Sequence, residues 1–452
     1  MSRVIVREKA FYKSLLAIAL PVAMQNLIMF AINMADTVML GQLGEVYLSA
    51  STLANQVGFL FLLFIFGVGS GTNVMAAQYY GKGQIEEIHR VMVLMYRLIC
   101  VGAVAFVLVA QIWPQQIMRI FSTDAEVIAQ GARFLRWVSL SYLPAGISSA
   151  TMIVQRSVGN VSICVAVYLA SLLTNVVGNW VLIFGNLGAP ALGVEGAAIA
   201  TVLARCVEML IALVYVLHYE KKLRFRLQYL WQSVRDILPE YMRTAFPVIF
   251  NELLWGMGAS VIAIIIGRLG TAATAAYSIT SVLGQLVTIT IFGVGNAAAV
   301  LIGNTIGAGE YARAKEYART MLVIALLLGV IGALVVLLLK DFAVGLYNIT
   351  PLARAYAGQM LYVYAGMALF KSLAAVSLIG VLRGGGDSRF VLAMDIVFMW
   401  TISIPVAYLA GHVWGAPVWV AYLAVQIDEI LKSAAGIIRV LRGRWINDIT
   451  LK

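Results

Sequence analysis

Ile65-Phe-Gly-Val-Gly69 reappears 226 residues later as Ile291-Phe-Gly-Val-Gly295, inside an ungapped match of residues 21–83 with residues 247–309. Within that match Pro21-Val22 falls on Pro247-Val248, Gly41-Gln-Leu-Gly44 on Gly267-Arg-Leu-Gly270, and Gly81-Lys-Gly83 on Gly307-Ala-Gly309. Two unrelated apolar stretches share Leu, Ile and Ala through composition alone. They do not keep a proline and most of their glycines in register. The chain therefore reads as a duplication, and the nature of one copy decides the nature of both.

Each copy is a series of apolar runs. The 452 residues are 62% hydrophobic and 12% charged, with a mean hydropathy of +0.91. A soluble domain carries roughly 25% charged residues. Apolar runs recur between residues 14 and 438, each about long enough to cross a ~30 Å hydrocarbon layer. Backbone groups in lipid must bond within their own segment, so such runs are helices. Residues 1–13 are polar and basic, and the first apolar run is too long for the apolar core of a cleavable signal, so none is expected.

Counting six runs per copy gives an all-α integral membrane fold: twelve transmembrane helices in two pseudo-two-fold-related six-helix bundles. Six is even, so both copies share one topology and are related by an axis along the membrane normal. The longest polar connection begins His218-Tyr-Glu-Lys-Lys-Leu-Arg-Phe-Arg and lies at mid-chain. The expected organisation is an N-terminal lobe over 1–218, a cytoplasmic linker over 219–243 and a C-terminal lobe over 244–452.

The net charge of +11 does not indicate nucleic acid, because the basic residues sit in short loops beside apolar runs. With the N-terminus inside, the tails and even-numbered connections hold about 23 of the 32 Lys and Arg residues. The other connections hold Arg119, Arg133, Arg136, Arg268, Lys340 and Arg354. Both termini are thus expected in the cytoplasm, for a multi-pass protein of the cytoplasmic (plasma) membrane. Cys100, Cys164 and Cys206 fall inside spans without metal-ligand spacing, and the three histidines form no zinc motif. Duplicated halves around a central cleft favour a transporter over a channel. The lack of a His/Asp/Glu cluster disfavours a membrane enzyme.

Four motifs resemble the multidrug and toxic compound extrusion (MATE) family, NorM-like bacterial type. They are Asp36-Thr-Val-Met-Leu-Gly-Gln-Leu-Gly44, Gln155-Arg-Ser-Val-Gly-Asn160, Pro247-Val-Ile-Phe-Asn-Glu252-Leu-Leu-Trp255 and Leu382-Arg-Gly-Gly-Gly-Asp387. The similarity covers essentially the whole chain. It implies a two-lobed antiporter that expels organic cations or amphiphilic drugs and metabolites in exchange for Na⁺ or H⁺. No cofactor beyond that coupling ion is implied. The expected partners are a small organic substrate, cationic or amphiphilic, and the bilayer, with the protein a monomer. A lipid-linked precursor flippase of the same superfamily is the first alternative. A membrane enzyme or scaffold is the second.

Charges inside a bilayer need a partner or a purpose. By depth at ~1.5 Å per residue, Asp36 lies in the outer half of its span. Asn175 and Asn179, four apart on one helix face, lie at similar depth, as does Thr201. One carboxylate, two amide oxygens and a hydroxyl suit a hard cation such as Na⁺; the same carboxylate, desolvated, suits a proton. The resemblance assigns a cation site to these positions. The plainer reading is a polar patch that joins helices. In the second half Glu252, Lys371, Asp395 and Glu429 share one depth and read as a charged network, with Glu252 expected to pair with Lys371. Glu252 matches a functional acid of the NorM-like branch. Where that branch has an aspartate in the tenth span, this chain has Lys371-Ser372. Arg205 and Glu208, three apart, read as an intrahelical pair. Arg97 reads as a snorkelling or packing residue. Arg383 and Asp387 are expected at the cytoplasmic rim, fixing the Gly384-Gly-Gly386 loop, which lacks the strand and lysine of a phosphate loop.

Overall fold

The computed structural model describes residues 5–347 and 349–448, and among them every regular element is helical. In chain order the helices are α1 Lys9–Gly41, α2 Glu45–Lys82, α3 Ile85–Ile112, α4 Pro114–Phe121, α5 Ala125–Ser139, α6 Tyr142–Ser157, α7 Ser162–Phe184, α8 Val194–Val214 and α9 Leu238–Gly267. There follow α10 Thr271–Gly307, α11 Tyr311–Gly345, α12 Pro351–Ala375, α13 Ser388–Asp395, α14 Ile404–Tyr408, α15 Val418–Val425 and α16 Ile427–Arg442. Ten of the described spans are long and apolar enough to cross a membrane, or eleven when α5 and α6, bent by 47°, count as one. The twelfth is α15 with α16. Its second half carries Asp428, Glu429 and Lys432, which lower its apolarity. The fold is thus the expected twelve-helix membrane architecture in two bundles.

Several helices run past the apolar segments that announce them. α2 has 38 residues and α10 has 37, so each extends about 55 Å against ~30 Å of hydrocarbon. Ala, Gly and Gln continue the helix after the apolar run stops. The spans of the second half are also interrupted. π-Helical segments, which bond i to i+5, occupy Val376–Leu382, Ile396–Ser403 and Leu409–Val413.

The helices fall into two compact units that are not continuous in sequence. Unit one holds residues up to Ala23, Ala77–Gly83, and Phe250 onward; unit two holds Met24–Ala76 and Gln84–Ile249. Helices α1 and α9 change unit two residues after Pro21 and Pro247. These repeat-related prolines remove a backbone donor and loosen the helix there.

The duplication is visible in the packing. In unit two, a Cβ at Gly67 of α2 would lie 2.5 Å from Ile249 Cα, and one at Gly71 would lie 2.6 Å from Ala245 Cα. In unit one, Gly293 of α10, the repeat mate of Gly67, stands against Ala19 and Ala23 of α1 in the same manner. Gly44 and Gly270, also mates, both adopt φ of +120°, a conformation open to glycine and strained for other residues.

The ends of α2 and α10 meet each other within unit one. A Cβ on Gly303 would lie 2.8 Å from Ala77 Cβ. One on Gly81 would lie 1.9 Å from the Asn304 carbonyl oxygen, and one on Gly307 would lie 1.8 Å from that of Gln78. The 226-residue shift maps 77 onto 303, 78 onto 304 and 81 onto 307, so the contact maps onto itself. Here the glycines are required by close backbone approach. Gly81→Ala or Gly307→Ala should destabilise the purified protein by roughly 2–3 kcal/mol, because backbone cannot rotate away as a side chain can. Gly366→Ala in α12, where a Cβ would meet nothing within 4 Å, is the control. Thermal unfolding in detergent should place it at or slightly above wild type.

The mid-chain linker is bound to unit two rather than hanging free. Glu220 accepts the backbone N–H groups of Lys222, Leu223 and Arg224 at 2.6, 2.7 and 2.9 Å. Leu223, Phe225, Val234 and Ile237 turn inward and are buried. His89 stacks on Tyr229 with ring centres 4.5 Å apart. Arg97, expected to snorkel or pack, instead donates to the carbonyls of Leu230 and Gln232 at 2.7 and 2.9 Å. Arg90 donates to Asp236, and that bond holds the exposed Asp236 carboxyl below the usual carboxylate range.

Candidate functional site

The first polar cluster, in unit two, joins three helices. α7 and α8 pack closely because small residues face each other: a Cβ on Gly178 would lie 2.9 Å from Ala200 Cβ. That approach sets Asn175 and Asn179 of α7 beside Thr201 of α8. Asn179 Nδ2 donates to Asp36 Oδ1 of α1 at 2.5 Å and lies 3.4 Å from Asn175 Oδ1. Asn175 Nδ2 stands 3.5 Å from Thr201 Oγ1. Asp36, Asn175, Asn179 and Thr201 are therefore brought together. Both amides are buried, and Asn179 Oδ1 is buried with no partner among the described residues.

An unmet acceptor in such a place costs about 1–3 kcal/mol. The donor set around it is all oxygen, one of them charged. Rotating the Asn179 amide by half a turn would present Oδ1 toward the Asp36 carboxylate, giving two oxygens for one small cation. The orphaned oxygen and the single carboxylate fit a monovalent hard cation.

Behind this cluster, Glu208 is saturated. It is fully buried and accepts Arg205 at 2.6 Å, Ser148 at 2.7 Å and Ser171 at 3.1 Å. The three-residue spacing on α8 does produce the expected intrahelical pair. Two serines from α6 and α7 complete it, and nothing in the local sequence of α8 announces them. Arg205 and Glu208 cancel, which leaves Asp36 as the uncompensated charge of this group.

The second cluster lies in unit one and differs from the expected pairing. Glu252 of α9 accepts Arg383 at 2.8 Å, so Arg383, not Lys371, is its partner. Arg383 is 3% exposed and turns toward Glu252 rather than to solvent. A π-helical segment, Val376–Leu382, directly precedes it. Asp387 is held instead by Arg439 at 2.8 Å. Asp395 accepts Lys432 at 2.8 Å and Asn251 at 2.7 Å, and Asp428 accepts the same Lys432 at 2.9 Å. The Lys371 ammonium rests 5.0 Å from the centre of the Tyr364 ring. Glu429 stands in the field of Asp428, Lys371, Lys432 and Asp395.

The predicted members Glu252, Lys371, Asp395 and Glu429 all face this interior. Arg383, Asp428 and Lys432 were missed as members. The Asp428-to-Lys432 spacing of four, inside an otherwise apolar span, was the available signal. For Arg383 the local sequence carried no signal of its partner on α9. The cluster holds four carboxylates against three cations, again one negative charge in excess.

The family model MatE matches residues 21–181 and 247–409, so both repeats are covered. The chain is 25% identical over 452 residues to the multidrug resistance protein MdtK of Yersinia pseudotuberculosis, covering 96% of this chain and 95% of that one. It is 26% identical over 408 residues to the probable multidrug resistance protein NorM of Agrobacterium fabrum, covering 88% and 86%. Among solved structures, a mutant of the Vibrio cholerae MATE transporter VcmN superposes with a TM-score of 0.89 at 18% identity, over 98% and 99% of the two chains. The eukaryotic MATE transporter AtDTX14 superposes with a TM-score of 0.87 at 18% identity, covering 98% of each.

Proposed function

This chain belongs to the MatE family of membrane transporters, and we propose that it is a secondary antiporter that exports organic cations or amphiphilic drugs and metabolites in exchange for Na⁺ or H⁺. It is a transporter and not an enzyme; the coupling, the substrate class and the orientation below are our reading. The observation that carries it is the Asp36–Asn179 group, with a lone carboxylate beside a buried, unpartnered Asn179 Oδ1. A ligand shifts a two-state protein only through different affinity for the two states. A coupling cation held by Asp36 in one access state and released in the other meets that requirement. Relatives that carry multidrug resistance names support small organic substrates. An excess of interior carboxylate over cation in each group suits positively charged cargo and argues against a pyrophosphate-linked lipid.

In this reading the protein resides in the plasma membrane as a monomer, with both termini in the cytoplasm. Purified protein in liposomes, loaded with an organic cation such as tetraphenylphosphonium, should export it when a Na⁺ or a proton gradient is imposed alone. Equal efflux with either gradient and with none would exclude antiport. The neutral ligands should tune the response without creating it. Asn175→Ala and Thr201→Ala should each raise the driving-cation concentration for half-maximal efflux about tenfold, the ~1.4 kcal/mol expected for one lost neutral ligand. The maximal rate should hold.

A further inference from the structure

The charged interior of unit one pairs off almost completely. Glu252 has Arg383, and Asp395 and Asp428 share Lys432. Two groups are left over: the ammonium of Lys371 on α12 and the carboxylate of Glu429 on α16, helices that pack against each other. Among the described residues neither takes part in an ion pair, although they feel each other's charge. Both remain partly open, whereas Arg383, Asp428 and Lys432 are buried.

The Lys371 ammonium rests over the face of Tyr364, 5.0 Å from the ring centre. That ring is itself fixed, because its hydroxyl donates to the Gly284 carbonyl at 2.9 Å and meets Thr288 Oγ1 at 3.2 Å. Tyr422 meets Tyr277 edge-on, with ring centres 6.1 Å apart. Opposite charges at low dielectric attract strongly, yet Lys371 rests on an aromatic face and, among the described residues, not in an ion pair.

We propose that Lys371 and Glu429 form a dipolar subsite for a zwitterionic substrate with an aromatic or apolar body, its ammonium on Glu429 and its carboxylate on Lys371. The proposal rests on the reading of the chain as an exporter of small organic compounds and narrows that class. A plain cation would meet Glu429 but be repelled by Lys371, and a plain anion would meet the reverse. A zwitterion satisfies both, and the mismatched charge supplies the discrimination. The tyrosines offer ring faces and edges to the body of the ligand.

The test is equilibrium binding of three tritiated probes to the full-length purified protein: tryptophan, tryptophan methyl ester and N-acetyltryptophan. Wild type should bind tryptophan at least tenfold more tightly than either derivative, each of which lacks one charge. Glu429→Gln should lower tryptophan to the level of the N-acetyl form. Lys371→Met should lower it to that of the ester, and Lys371→Arg should restore the preference. Equal binding of tryptophan and its ester, no measurable tryptophan binding, or a preference that survives both substitutions would overturn the subsite. Should a variant not fold, the three-probe comparison on wild type decides alone. Ion-driven export of tetraphenylphosphonium reads the parent reading separately. Export without zwitterion preference removes only the subsite, and no ion-driven export of any probe removes the reading beneath it.

Discussion

Replacing Asp36 with Asn should leave a folded protein in which the proposed gradient-driven export falls about a hundredfold or more. The change keeps the size of the side chain and an oxygen able to accept from Asn179 Nδ2, the bond that joins α1 to α7. What disappears is the one charge of the group that Arg205 and Glu208 do not already cancel between themselves. Losing a charged ligand in a poorly solvated site costs ~3 kcal/mol or more, hence the hundredfold. Thermal unfolding should therefore change little while efflux collapses. Wild-type efflux in this variant, under either gradient, would move the coupling site to the Glu252 group.

The largest effect on stability is expected at Arg383. It is the only cation bonded to Glu252 among the described residues, and both are nearly withdrawn from solvent. Arg383→Met strands a buried carboxylate, a loss of about 3–5 kcal/mol. The double change Glu252→Gln/Arg383→Met removes both charges and should recover most of that loss, since the lone charge is the costly state. Lys371→Met, which forfeits a contact with the Tyr364 ring but breaks no ion pair among the described residues, should cost about 1 kcal/mol. Unfolding midpoints in detergent for these three variants should rank Lys371→Met highest and Arg383→Met lowest. Arg383→Met as stable as the double variant would show that the pair is not coupled.

The duplication was legible because glycine and proline leave marks that apolar composition cannot imitate. The same glycines that align at Gly67 and Gly293, or at Gly81 and Gly307, prove to be places where helices touch by backbone. Their spacing told of a repeat, but not which helix each would meet. The departure of α1 and α9 to the other unit after Pro21 and Pro247 could not be read either, because a proline announces a kink and not its destination. In the first cluster the four-residue spacing of Asn175 and Asn179 was sufficient, since a regular helix converts spacing into direction. In the second cluster depth alone brought Glu252, Lys371, Asp395 and Glu429 to one level. Depth says nothing of rotation about the helix axis. π-Helical segments lie before Arg383 and after Asp395, where rotation per residue departs from that of a regular α-helix, and the partner of Glu252 is Arg383.

If cargo leaves as a cation enters, the counter-ion can be followed beside it. Liposomes containing the protein, an organic cation and internal sodium- and proton-sensitive dyes are diluted into cargo-free buffer. Efflux of the organic cation should bring Na⁺ or H⁺ into the lumen in step with it, and in liposomes bearing Asp36→Asn that influx should vanish. Efflux by the wild-type protein without either ion entering would rule out cation exchange.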